Sequence, residues 1–341
     1  MTLGTRHFPQ KGLRARALRF APPALLTLAP LLPAQATELV MGTRVWVSSG
    51  QTEWSHCASL ACGGSAGTLN LNGTNYSGQL GDPTSRLHYG DVTGTSAEVF
   101  AQATFKNALR LSGTLGAGRG DGGQLRDQDW LTWDTTGQTY SLSDTTSTLK
   151  NTRLSHFTLD LGRSYTRDAL KLTPFLGYVQ YKEKTSAVGV TQLPNDLGID
   201  WGNPYNSNTA VIDNTITWKG WRLGTEVEWA MTEKAQLMVN AAYVVAASAR
   251  NNDSHLLRTN ANDLGTAPNI TSNGNGDGWM LDLIGRYALS PKLSLEAGWR
   301  WWKFKAEGNT RFGPDFSTAY PTRSLQSERN GVLVGVRYLF D

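Results

Sequence analysis

Two short clusters in the sequence combine residue types that can move protons. The first is Asp127-Gln128-Asp129-Trp130 and the second is Asp253-Ser254-His255. On an extended chain, residues two apart project from the same face. Asp127 would then sit beside Asp129, and Asp253 beside His255. A histidine oriented by a carboxylate can take a proton from water. Two neighbouring carboxylates resist double ionisation and share a proton. Facing each other across a water, the two pairs would make a hydrolytic site, although the attacked carbonyl also needs an electrophile that the sequence does not identify. Ordinary solvation of a polar loop accounts for the same residues without chemistry. Calcium is a further use of carboxylates beside loop carbonyls, and His255 argues against it.

The elements that must position these clusters are strands. Apolar residues alternate with polar ones over 38–49, 84–106, 108–118, 153–165, 168–183, 217–230, 235–248, 278–289, 292–303 and 329–340, the period of β structure. Tight turns fall around Lys106-Asn107, Thr166-Arg167, Thr232-Glu233-Lys234 and Ser290-Pro291. Long polar loops fall at 50–83, 119–152, 184–216, 249–277 and 304–328. This pattern predicts an all-β fold, a ten-stranded antiparallel transmembrane β-barrel with short periplasmic turns and long extracellular loops. Leu237, Val239, Ala241, Tyr243 and Val245 share one face of the seventh strand. Leu293, Leu295, Ala297, Trp299 and Trp301 share one face of the ninth.

The opposite faces carry Arg222, Glu226, Glu228, Asp282, Arg286, Glu296 and Arg300, charges of both signs suited to a polar lumen with internal pairing. Trp218, Trp221, Trp229, Tyr287, Trp299, Trp301 and Trp302 cluster near strand ends as interface girdles do. The last strand alternates Val332, Val334, Val336, Tyr338 and Phe340, like a signal for the barrel-assembly machinery, with Asp341 after the aromatic as a departure. The two clusters fall in the loops after strands three and seven, which stand almost opposite each other in a ring of ten.

Residues 1–36 read as a cleaved signal peptide, leaving 37–341 as the outer-membrane barrel domain. Arg6, Lys11, Arg14, Arg16 and Arg19 form its basic region, Phe20 to Leu32 its apolar run, and Ala34-Gln35-Ala36 its cleavage site. The run is short and interrupted by proline, whereas an anchor needs roughly 18 apolar residues. The formal charge of +4 falls to about −1 without that segment, so nucleic acid is not an expected partner. Cys57 and Cys62 read as a local disulfide in an oxidising compartment. A metal there would need more ligands than His56 supplies, and none is expected elsewhere. Gly118-Arg119-Gly120-Asp121-Gly122-Gly123 fits a dinucleotide-binding pattern, but no helical pattern follows it. His56 reads as a loop residue, His88 as isolated, and His156 as pointing into the lumen.

The two clusters resemble those of the omptins, outer-membrane endopeptidases built as ten-stranded barrels. An Asp-Gln-Asp-Trp motif after a glycine-rich stretch matches Arg119 to Gly123 and Asp127 to Trp130. An Asp-x-His pair after the seventh strand matches Asp253 and His255. Weaker echoes are Ser85-Arg86-Leu87-His88-Tyr89 and Lys219-Gly220-Trp221. The resemblance implies an aspartic-type (Asp/His) endopeptidase with Asp127, Asp129, Asp253 and His255 as its catalytic residues. It also implies peptide or protein substrates at the cell surface, an outward-facing site, and a requirement for lipopolysaccharide but no cofactor. Arg153 and Lys303 are candidate lipid contacts.

The family uses two acidic positions to prefer basic residues at the cleaved bond. Here these positions hold Asn251 and, by counting, Trp54 with Glu53 adjacent, so a dibasic preference is in doubt. The Cys57–Cys62 loop beside that pocket is also unlike the family. These departures leave open a non-catalytic adhesin or binding barrel on the same scaffold. A small pore is the third reading, opposed by a narrow, charge-paired lumen.

Overall fold

Alternating inward and outward side chains bend the chain into a closed ring. The computed structural model describes residues 36–57, 67–71, 74–132, 139–200, 202 and 205–340, with the side chains of 36, 67–80 and 131–132 left undescribed. Its strands are β1 (Ala36–His56), β2 (Gly67–Leu71), β3 (Thr74–Phe105), β4 (Leu109–Gly120), β5 (Gln124–Thr132), β6 (Thr139–Arg163), β7 (Tyr165–Arg167), β8 (Leu170–Gln192), β9 (Ala210–Ala230), β10 (Ala235–His255), β11 (Ile270–Ala288), β12 (Leu293–Phe312) and β13 (Tyr320–Phe340). The described residues include no helix. β1 pairs antiparallel with both β3 and β13, which closes the ring.

Thirteen segments make ten staves. β4 and β5 occupy one stave, because register runs through the gap between them. Arg119 faces Thr95 and Gln124 faces Gly90, five residues further along each strand. The break is the Asp121-Gly122-Gly123 stretch, where both glycines take positive φ, a conformation that side chains with a Cβ resist. The glycine-rich motif is therefore a kink in a stave. Among the described residues β2 pairs with β3 alone, and β7 with β8 alone at a hairpin.

The expected long loops are shorter than predicted, because the strands run on past the apolar region. β1 continues to His56, β8 to Gln192, β10 to His255 and β12 to Phe312, while β6 begins at Thr139 and β11 at Ile270. These extensions carry polar residues on their outer face and a mixture of polar and apolar residues, such as Trp54, Ala187 and Ile270, inside, so the apolar outer alternation stops. Their backbone groups still pair with neighbours that extend equally far.

Val45, Val47, Leu170, Leu172, Leu176, Val332, Val334 and Val336 point outward and are exposed. A belt of this kind suits lipid, and closing the ring leaves no open sheet edge inside it. Trp221, Trp229, Tyr287 and Trp299 lie exposed at its margins. Trp218 and Trp302 do not join this girdle. They stand an odd number of positions from Trp221 and Trp301, so they take the opposite face and are buried in the lumen.

β1 serves as a ruler up the lumen. Arg44 binds Glu296 at 2.7 Å, within a network joining Arg286 to Glu228 and Glu296 and Arg110 to Glu226 and Glu228. Trp46 meets the rings of His156 and Trp302, which puts His156 in the lumen as expected. Ser48 accepts from Arg329, itself bound to Glu183 at 2.7 Å. Thr52 bonds Ser327. Trp54 and His56 complete the series. Residues 1–35, with the expected signal segment, lie outside the described residues, as does Cys62. Cys57 is disulfide-bonded.

Candidate active site

The top of β10 brings Asn251, Asp253 and His255 to the inner side, beyond the belt. Asp253 lies in register with Asn214 of β9 and Ile270 of β11 and is wholly buried. Its Oδ2 accepts three hydrogen bonds: from the Tyr89 hydroxyl at 2.6 Å, Asn214 Nδ2 at 3.2 Å and Trp54 Nε1 at 3.3 Å. Donors from β3, β9 and β1 thus hold one carboxylate oxygen and orient the other. Oδ1 lies 3.3 Å from His255 Nε2, close enough to pair with the ring once it is protonated but not aligned as a hydrogen bond. Asn269 clamps the turn that follows. It accepts from the His255 backbone N–H at 2.8 Å and donates to the His255 carbonyl at 3.1 Å. Burial pushes the His255 pKa below its ordinary value, an effect that Asp253 opposes. His255 is therefore neutral at neutral pH.

The first cluster is sorted by strand parity. Gln128 accepts from Arg86 at 2.6 Å and donates to Asp144 at 3.1 Å, and the Arg86 guanidinium lies 5.2 Å from the Trp130 ring centre. Arg126 grips the same Asp144 with two hydrogen bonds. These contacts lock β5 between β3 and β6. The alternate residues, Asp127 and Asp129, take the other face. Asp129 is hydrogen-bonded to Ser85, its register partner on β3.

Burial pushes Asp129 up to about 6, while Ser85 and Arg258 oppose the rise. Asp127 is pushed up further, by burial and then by the charges of Asp129 and Asp253, with Arg258 opposing. The field of Asp253 therefore reaches Asp127, and that of Arg258 reaches Asp127, Asp129 and His255. All four predicted residues share one electrostatic environment.

The three candidate substrate-contacting residues separate. Trp54 and Asn251 are fully buried: Trp54 donates to Asp253, and Asn251 accepts from Asn214 at 3.0 Å. Glu53 takes the opposite face of β1, where its carboxylate lies 3.4 Å from His88 Nδ1. That contact is the main reason its pKa falls, so His88 is not isolated. His56, expected in a loop, is the last residue of β1, buried and stacked on Trp54. Inward parity running Trp46, Ser48, Thr52, Trp54 carries it into the site. Asn214 and Asn269 have no comparable mark in the sequence, and Tyr89 is marked only within the weak Ser85–Tyr89 echo; Asn214 comes from β9 and Asn269 from the turn before β11. Among the described residues no three His, Cys, Asp or Glu side chains group as a metal site.

No known family profile matches the sequence, and no curated protein matches it. Among solved structures the chain is similar to the outer membrane protease OmpT from Escherichia coli, with 14% identity over 89% of this chain and 97% of that one and a TM-score of 0.64. Neisserial surface protein A matches at 10% identity over 88% of this chain and 96% of that one, with a TM-score of 0.27. The first likeness establishes the fold, an outer-membrane β-barrel. The second is too loose to add to it.

Proposed function

We propose that this chain is an omptin-like outer-membrane endopeptidase, its site turned to the cell exterior and its mature form beginning near Thr37. The observation that carries the reading is the Asp253–His255 pair, 3.3 Å apart, in the electrostatic field shared with Asp127 and Asp129. The fold likeness to an outer membrane protease supports it. With Nε2 turned to Asp253, Nδ1 of His255 is the base. It takes a proton from a water as the water oxygen bonds to the scissile carbonyl carbon. Asp253 holds the ring and stabilises the imidazolium, as the buried aspartate does in a Ser-His-Asp triad. Asp127 and Asp129 share one proton and hold the water. Collapse of the tetrahedral intermediate breaks the C–N bond, and the imidazolium returns the proton to the leaving amine.

The paired, aromatic-packed lumen speaks against a pore. Lipopolysaccharide is expected to support activity. Arg153 is exposed on the outer face, and Lys303 there is paired with Glu328 at 3.2 Å. The test is cleavage of a peptide library by refolded protein with lipopolysaccharide. His255→Ala and Asp253→Ala should abolish cleavage, and undiminished cleavage by either would sink the mechanism. Tight ligand binding with no cleavage by the wild type would favour a binding barrel. Activity should fall in acid as His255 protonates, at a pH below the ordinary histidine value.

A further inference from the structure

Proton transfer at His255 leaves one need unmet, because negative charge collects on the carbonyl oxygen as water adds. We propose that His56 meets it, as a neutral hydrogen-bond donor to that oxygen and hence a further catalytic residue. The inference rests on the peptidase reading above.

His56 ends β1 on the inner side. It lies in register with Ser85 of β3, and Ser85 with Asp129 of β5. One rung therefore carries His56, Ser85 and Asp129 across adjacent strands, spaced about 4.8 Å apart. The His56 ring packs on Trp54 at 5.7 Å between centres and on Phe312 at 4.7 Å, so its plane is fixed. Trp54 is the residue that donates to Asp253. The His56 ring thus rests on the same side chain that orients the proposed Asp–His pair. It is 5% exposed, and its Nδ1 is buried with no hydrogen-bond partner. A buried polar atom left unpaired is costly, and its position beside the proposed Asp–His pair gives it a use.

Its protonation state suits the task. Burial, with repulsion from His255, pushes His56 down to about 4, so the ring stays neutral wherever His255 acts as a base. A neutral imidazole donates a hydrogen bond without competing for the transferred proton. Arg258 is another nearby donor, and two hydrogen bonds, at 3.0 and 2.7 Å, hold it against Asp263. No bond to His56 forms or breaks in the reaction. Its N–H only shortens its contact to the oxygen as charge develops.

The test compares kcat and KM for wild type, His56→Phe and His56→Gln on one cleavable peptide, with folding checked by gel migration of unheated samples. His56→Phe keeps the stack and removes the donor, so kcat should fall about 100-fold with little change in KM. His56→Gln restores a donor and should recover at least about tenfold of that loss. If Phe prevents folding, His56→Met removes the donor at similar volume and is read the same way. A donorless variant within about threefold of wild-type kcat overturns the proposal. So does a Gln variant as slow as the donorless one, which would mean that His56 only packs. Failure of the wild type to cleave any peptide overturns the peptidase reading and this inference together, an outcome distinct from either of those.

Discussion

The inward-facing charges of this barrel are handled in two opposite ways. Within the apolar belt the carboxylates face arginines: Arg44 with Glu296, Arg286 with Glu228 and Glu296, Arg300 with Asp282 and Glu98, and Arg222 with Asp160, the last pair 3.0 Å apart but not aligned as a hydrogen bond. Above the belt they are left available. Asp127 and Asp129 are half-buried carboxyls that burial keeps from ionising freely, and His255 Nε2 and Asp253 Oδ1 have no aligned partner. Arg258, whose charge reaches these groups, is tied to Asp263. The same period-2 pattern builds both regions, so parity alone does not separate a silent lumen from a reactive cleft. The kind of partner does: a lumen carboxylate faces an arginine, whereas Asp127 feels the like charges of Asp129 and Asp253, and acidity perturbed in that way suits proton chemistry.

The sharpest break of this contrast comes from Asp253→Asn. An amide still accepts from Tyr89, Asn214 and Trp54 but no longer stabilises an imidazolium. In a Ser-His-Asp triad the equivalent change lowers kcat by about 10⁴-fold. A comparable fall is expected here, with the barrel's unfolding midpoint nearly unchanged. Arg300→Met is the lumen counterpart. It removes the arginine from buried Glu98, which keeps only His156 at 3.0 Å, and from part-buried Asp282, at a cost of up to about 3–5 kcal/mol in stability. The variant that remains folded should retain its kcat. A stable Arg300→Met barrel with a damaged kcat would erase the boundary between the two regions.

Removing a carboxylate from the cleft should have the opposite sign. Asp129 is raised from 3.8 to about 6 in the folded chain, so its ionisation opposes folding. Below about pH 4 the group is protonated in both states and there is no penalty. The penalty grows as pH rises towards about 6 and is complete above that. Discounted for partial exposure and for coupling to Asp127, it amounts to about 1–2 kcal/mol. Asp129→Asn should therefore unfold at a higher denaturant concentration than wild type at pH 8, with the gap closing near pH 4, while losing activity. Equal stability at pH 8 would mean that the site stores no such strain.

The staves inside the belt were legible because lipid demands an apolar outer face at every second residue, as in Val332, Val334 and Val336. The extensions above it were not. Residues such as Asn251 to His255 are polar on both sides, and only pairing with β9 and β11 makes them strand. The four proposed catalytic residues were visible as two local spacings. The support they receive was not: Trp54 stood out only as a substrate position and Tyr89 only in a weak echo, and with Asn214 they reach one carboxylate oxygen from three distant strands. His56 shows both cases. Its parity could be counted from Trp46, but its neighbour His255 lies about 200 residues away, and only ring closure brings them together.

Trp54 offers the smallest and most discriminating change, because two roles for it predict different readouts. By sequence it falls at a substrate-contacting position, whereas its indole N–H is bound to Asp253 at 3.3 Å. Trp54→Phe keeps an aromatic surface for His56 and deletes only that donor. The bond is long and two other donors remain, so the loss should be about 1 kcal/mol, roughly fivefold in kcat. With less of its charge shared, the Asp253 carboxylate would pull harder on the His255 proton. The acid limb of the pH–rate profile should then move to higher pH, with KM unchanged across peptides. If Trp54 instead forms the floor of a substrate pocket, KM will change selectively with the peptide's side chain and the acid limb will stay in place. Either outcome assigns Trp54 to one of the two roles, the support of a charge or the selection of a substrate.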